Sequence, residues 1–343
     1  VQPRLVFRTH YQVDEPAYLS VLVLHATSPV RSDYSERVAQ TLATYLQKQG
    51  TSFNIAAAGY AVDLARSLGL INEQNSWTAA AHLLAHIAHR DGDHAALDLR
   101  PAERLAYLKV FLEGDGAAML YLARRVLEQD SLPGDDDWNT IAQSMVLDVY
   151  EESLKLTSAT ADRVALRREL DRLRRQGFSG KTGSHKMFVH LQSMYRIGLL
   201  SRPNAGQGRS YAASNPPALQ RFCDAVGDLL RLEGIVRESR WADVAAAILD
   251  ARHDDGTIGP DELLDSVRDP YQDITATGIA ICPISAVFDA IQVSALLERR
   301  HIERAALETS LGVLQRERPR DVRLHVDRAG RPAFIKLSPA ALG

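Results

Sequence analysis

The chain has 343 residues, 45% hydrophobic and 24% charged, with 40 Lys and Arg against 43 Asp and Glu. That composition is ordinary for a globular protein, the length suits two or three domains, and the net charge of −3 excludes a histone-like cationic coat. Two cysteines, Cys223 and Cys282, exclude a disulfide framework or a cysteine-based zinc cluster. Val1 to Pro16 lacks a basic-then-apolar signal layout. The longest apolar stretch, Gly278 to Phe288, has 11 residues, where a membrane span needs about 20. The expectation is a cytoplasmic protein without a membrane partner.

Helical spacing dominates the chain. Residues 1–32 are expected as an extended or hairpin segment. Residues 33–132 form a first helical domain. In it Val38, Leu42, Tyr45 and Leu46 make one stripe, and Tyr60, Leu64 and Leu68 make another before Gly69. Helices follow at Thr78 to His89, Pro101 to Leu112 and Ala117 to Glu128, and Pro133 to Asp137 reads as a linker. A second domain, 133–215, holds helices at Trp138 to Leu154, Asp162 to Arg175 and His185 to Ile197, with Ser179 to Ser184 as a turn. The third, 216–343, holds helices near Leu219–Leu232, Trp241–Ala251, Asp261–Val267, Ser285–Leu297 and Ile302–Leu314. It closes on VRLHVDRAGRPAFIKL, a hairpin in which Val322, Leu324 and Val326 alternate with Arg323, His325 and Asp327. The fold class is therefore mainly α, helical bundles with short β-hairpins.

Charge is strongly segregated. Residues 111–161 carry 3 basic against 10 acidic side chains, a net of −7, and 162–210 carry 11 against 3, a net of +8. Residues 223–273 carry 5 against 13, a net of −8, and 297–336 carry 10 against 6, a net of +4. Clustered cations answer to polyanions, because each neutralised phosphate releases a counterion. The plainer alternative is that acidic and basic blocks face one another within one molecule.

The +8 block contains SHKMFVHLQSMYRIGLLSRPNAGQGRSYAAS, residues 184–214. Ser184 is a competent N-cap and Gly198 a left-handed C-terminal cap. Met187, Phe188, Leu191, Met194 and Tyr195 share one helix face, while His185, Lys186, Gln192, Ser193 and Arg196 share the other. A two-stranded ribbon with a Gly-containing tip follows, flanked by Arg202 and Arg209. Helix, short strand, loop and short strand closing on a Tyr resemble the winged helix-turn-helix superfamily. The resemblance covers about eighty residues from Trp138. It implies a helix for the DNA major groove and a wing for the adjacent backbone, with double-stranded DNA as partner.

In that reading Lys181, Ser184, His185, Lys186, Gln192, Ser193 and Arg196 contact DNA, with Arg202 and Arg209 on the wing. Arg167, Arg168, Arg174 and Arg175 come from the preceding helix. A weaker echo, DLARSLGLINEQNSW, lies within residues 33–77, where a structural or dimerising role fits better, so a homodimer is also expected. The C-terminal hairpin, with Arg323 and Arg328, is a third candidate. The architecture expected is a tandem winged-helix protein.

No chemistry competes with this reading. Gly180-Lys181-Thr182 lacks the glycine and the upstream strand of a phosphate loop. His82, His86, His89, Asp91, Asp93 and His94 form the densest ligand-type cluster, but Leu83 stands where the zinc-protease pattern needs Glu. A helix end with solvated histidines is expected there instead of a metal site. HDDGTIGPDE, residues 253–262, misses two ligands of a calcium loop. Asp135, Asp136 and Asp137 lack the context of a nuclease site. The expectation is a protein without catalysis, cofactor or metal. It would be a regulator or the DNA-engaging subunit of a larger bacterial complex in chromosome maintenance or defence. The alternative is a scaffold whose winged helices dock partner subunits.

Overall fold

The computed structural model describes residues 65–66, 68–72, 77–91, 99–133, 138–156, 160–176, 180–203, 210–233, 239–254, 258–276 and 282–342. The segment expected at 1–32 and the stripe expected from Val38 lie outside them. The described residues are mainly helical, as the periodicity predicts. None of their helices is long and apolar enough to cross a membrane.

In chain order the first unit is α1 (Ala79–Asp91), α2 (Pro101–Gln129), β1 (Ser131–Pro133), α3 (Trp138–Leu156), α4 (Thr160–Gln176), α5 (Gly180–Arg196), β2 (Leu200–Ser201) and β3 (Ser210–Ala213). Helices α6 (Pro216–Glu233) and α7 (Trp241–Leu249) follow, then β4 (Arg252–His253). The last unit is α8 (Pro260–Ala276), β5 (Cys282–Pro283), α9 (Ile284–Leu297), β6 (Arg300–His301), α10 (Arg304–Glu317), β7 (Val322–Val326), β8 (Pro332–Leu337) and α11 (Pro339–Leu342).

Helix α2 is the spine of the first apolar cluster. Pro101 opens it, and the Glu103 carboxylate accepts the Arg100 backbone N–H at 3.0 Å. Two helices are predicted here, and the backbone breaks between them at Asp115 (φ −130°, ψ 27°), a kink across which they join as α2. Gly114-Asp115-Gly116 is a poor helix sequence. The break is stabilised because the buried Asp115 carboxylate meets His190 Nε2 of α5 at 2.9 Å. Helices α6 and α7, which the sequence groups with the C-terminal third, pack their apolar faces into this first cluster through Phe222, Val226, Leu230, Trp241 and Val244. The second cluster starts at Ile258 and fills the space between α8, α9, α10 and the last hairpin. Helix α9 serves both: Ala290, Val293 and Leu296 face the first cluster, Val287, Phe288 and Ile291 the second.

Two sheets share one connectivity. The first has the order β1-β3-β2 and the second β5-β8-β7, antiparallel throughout, with the earliest strand beside the last. Neither β1 nor β5 is predicted from the sequence, since strands of two or three residues carry no periodicity. The junctions before the hairpins also repeat. Gly69 (φ +73°) and Gly198 (φ +87°) hold the left-handed conformation that glycine tolerates. Each lets the next residue bond back five positions, Leu70 N–H to the Ala65 carbonyl and Leu199 N–H to the Met194 carbonyl. Each chain return is then closed alike: Thr78 N–H donates to the Leu70 carbonyl and Ser214 N–H to the Leu199 carbonyl, both at 3.1 Å. In the C-terminal unit Ser338 N–H does the same to the Asp321 carbonyl at 2.8 Å. In the first echo the described residues pair through an antiparallel bridge, Ile71 to Trp77. A pairing absent from the sequence reading is parallel: Arg252 with Arg300 and His253 with His301.

Candidate nucleic-acid interface

Helix α4 is amphipathic. Leu166, Leu170 and Leu173 are buried at helical spacing, and Arg163, Arg167, Arg168, Arg172, Arg174 and Arg175 are exposed. Two of these charges are answered locally. Arg172 pairs with Glu169 on the same helix, and Arg174 pairs with Glu151 of α3, both at 2.5 Å. Arg163, Arg167, Arg168 and Arg175 have no carboxylate partner among the described residues, and Arg175 Nε donates to the Asp171 carbonyl. From Arg163 to Arg175 the helix rises about 18 Å, roughly half a turn of duplex DNA. Guanidinium groups held on a rigid helix suit phosphate oxygens, which they bind in a fork.

Helix α5 departs from the expectation. It starts at Gly180, not at His185, so Ser184 lies inside the helix and is not its cap. The amphipathic run that follows extends the helix back through the Gly/Ser/Thr segment, against a propensity cost of about 1 kcal/mol at a helical glycine such as Gly183. Lys181, Ser184, His185 and Lys186 occupy its first turns, and their side chains lie outside the described residues. Gln192 and Ser193, expected on an open face, are buried at 2% and 4% exposure. The whole run Val189 to Met194 is buried because α5 is enclosed by α3, α2 and its own hairpin. Ser193 Oγ donates to the Val189 carbonyl at 2.7 Å. This half of α5 cannot enter a groove.

The same enclosure occupies Arg202. Its guanidinium lies 4.7 Å from the Tyr195 ring centroid and 5.1 Å from that of Tyr211, and it donates to Tyr211 Oη at 2.8 Å and to Gln192 Oε1. Tyr211 Oη in turn donates to Gln192 Oε1 at 3.1 Å, so Arg202, Gln192 and Tyr211 clamp the hairpin to the helix. Arg196 is half-buried, its guanidinium 5.5 Å from the Tyr195 ring centroid. Arg209 lies outside the described residues. Arg323 and Arg328 are exposed on the C-terminal hairpin, far along the chain from α4, with Arg323 directly opposite Lys336.

The histidine cluster also differs from the expectation. His82 and His86 are buried at 4% and 3% exposure, not solvated, because α1 packs against α8 and α9. Burial pushes the His82 imidazole down to about 4. It also lowers His86, against the opposing pull of Asp273 2.7 Å away. The side chains of His89 and Asp91, and the residues Asp93 and His94, lie outside the described residues, as do Asp135, Asp136 and Asp137. Among the described residues no group of His, Cys, Asp or Glu is placed to hold a metal.

Both cysteines are buried, and burial pushes each thiol up to about 12. With so little thiolate at neutral pH, neither is expected to react with a maleimide within minutes in the native protein, whereas both label once the chain is unfolded. Fast native labelling at pH 7.5 would contradict this burial.

Comparison with family models, with curated proteins and with solved structures finds no match to this chain.

Proposed function

We propose that the chain is a non-catalytic double-stranded DNA-binding protein, a regulator or the DNA-engaging subunit of a larger complex, that grips the sugar–phosphate backbone. The observation that carries this reading is the row of exposed arginines on α4 without described carboxylate partners. The two sheets support a tandem winged-helix architecture. Each unit runs helix, strand, helices and hairpin, with the first strand paired beside the last, as in the winged helix-turn-helix superfamily. The burial of Gln192 and Ser193 favours phosphate contact over base reading by the second half of α5.

The test is fluorescence anisotropy with a duplex, a single strand and an RNA at two salt concentrations. Affinity for the duplex should fall steeply with salt. The triple variant Arg167→Glu, Arg168→Glu, Arg175→Glu should lower the logarithmic salt slope by about 3 and weaken binding roughly a hundredfold or more, since each phosphate contact contributes about 0.9 to the slope. Because the three side chains are exposed, the thermal midpoint should not move. An unchanged slope in the triple variant would refute the assignment to α4.

Docking of partner subunits is favoured by a separate observation. The C-terminal hairpin exposes Val326 at 61% and Phe334 at 38%, beside Arg323 and Lys336. Absence of duplex binding at low salt, together with a co-purifying subunit released by Phe334→Ser, would favour that reading instead.

A further inference from the structure

A cavity of about 340 Å³ opens at the edge of the first apolar cluster. Leu105 and Leu108 of α2 form one wall, and Ile197 and Leu199, flanking the α5 cap, form another. Ile248 of α7 and Leu296 of α9 complete the apolar lining. Its volume lies in the range of small-molecule sites, which are apolar chambers with a few convergent polar groups.

Here the polar groups are two guanidiniums, Arg104 and Arg299, and no Asp or Glu lines the cavity. Each is oriented by one backbone carbonyl. Arg104 Nε donates to Leu99 O at 2.9 Å, and Arg299 Nη1 donates to Leu249 O. Neither has a carboxylate partner among the described residues. An arginine carries five N–H donors, so both retain donors for a ligand.

Two further features show a built site. Arg299 holds φ +61°, a left-handed conformation that non-glycine residues rarely adopt. Its peptide carbonyl accepts Arg252 N–H at 2.8 Å, which fixes the turn that aims the side chain at the cavity. On the other side the Arg104 guanidinium lies against Gly198, its Nη1 3.4 Å from where a Cβ would stand.

We infer that this cavity binds an amphipathic monocarboxylate, with the carboxylate between Arg104 and Arg299 and an aliphatic tail of roughly ten carbons along the apolar walls. Two cations without a lining anion select a negative head group, and the continuous aliphatic lining selects a tail with no hydrogen-bonding groups of its own. The site is separate from the arginine face of α4, and it stands or falls independently of DNA binding.

Titration calorimetry of the full chain with decanoate, run beside decanol and acetate, tests it. Decanoate should bind with one site per chain and raise the thermal midpoint. Decanol should bind at least tenfold more weakly, for want of a charge, and acetate should not bind in the same range. Arg104→Gln and Arg299→Asn should each weaken decanoate about tenfold or more, the loss expected for one charge-assisted hydrogen bond. Asn is chosen because it tolerates the left-handed backbone. Arg104→Lys should restore part of the affinity, which shows that the loss comes from charge and not from misfolding. Decanol binding as tightly as decanoate, wild-type affinity in either variant, or many weak sites per chain would each overturn the assignment.

Discussion

Asp289→Ala is expected to destabilise the protein by about 3–5 kcal/mol, because it takes a carboxylate from two cations in the interior. Asp289 is fully buried on α9. Its Oδ1 accepts Trp241 Nε1–H at 3.1 Å and Arg304 Nη1 at 3.2 Å, and its Oδ2 lies 3.5 Å from Lys109 Nζ. Lys109 is 1% exposed and also meets Glu113 at 2.7 Å. Asp289 thus stands between Lys109 and Arg304, with Glu113 beside the first cation and Glu308 3.7 Å from the second. Removing the fully buried carboxylate takes an anion from both cations and leaves the buried indole N–H without this acceptor.

Trp241→Phe should cost less, about 2–3 kcal/mol, since it removes one hydrogen bond and leaves part of the buried indole volume empty. Combining Asp289→Leu with Lys109→Met should recover much of the loss, because a buried ion pair is often replaceable by apolar side chains. Urea unfolding measures all three, and a cost below about 1 kcal/mol for Asp289→Ala would show that the network carries no net burden. The network also joins α2 and α7 of the first cluster to α9 and α10 of the second, so wild-type unfolding should be a single transition.

Acidification is expected to weaken the fold well before the carboxylates titrate. Burial holds the folded-state His82 imidazole at about 4, below its ordinary value of 6.5, so the unfolded chain binds the proton more readily. The stabilisation is fully present above about pH 6.5 and is lost as the pH falls toward 4. Over that window His82 alone should remove about 2–3 kcal/mol. His86 is lowered by the same desolvation and adds in the same direction, with Asp273 beside it opposing. His82→Leu should flatten the stability profile between pH 7 and pH 4.5 without greatly lowering stability at pH 7. A profile equally steep in that variant would assign the effect to other groups.

The arginine face of α4 and the buried histidines illustrate what is legible in a sequence. On α4 the buried Leu166, Leu170 and Leu173 recur at helical spacing, and the arginines between them are exposed. The same logic fails for α5. One apolar stripe was enough to predict a polar outer face with Gln192 and Ser193, but a helix can also bury its polar side if partners satisfy it. Arg202, Tyr211 and the Val189 carbonyl do so here. For His82 and His86, helical spacing shows that they share a face, but it does not say that α8 covers that face.

Among the described residues the helical class, most helix positions, the glycine-capped junctions at Gly69 and Gly198 and the C-terminal hairpin are legible in the sequence, because each follows from contacts within a few residues of chain. Tertiary structure alone decided the two short first strands, the sharing of α9 between clusters, the enclosure of α5 and the cavity between Arg104 and Arg299. Those depend on which faces meet across long separations, Lys109 with Asp289 or Asp115 with His190, and local periodicity carries no record of such pairings.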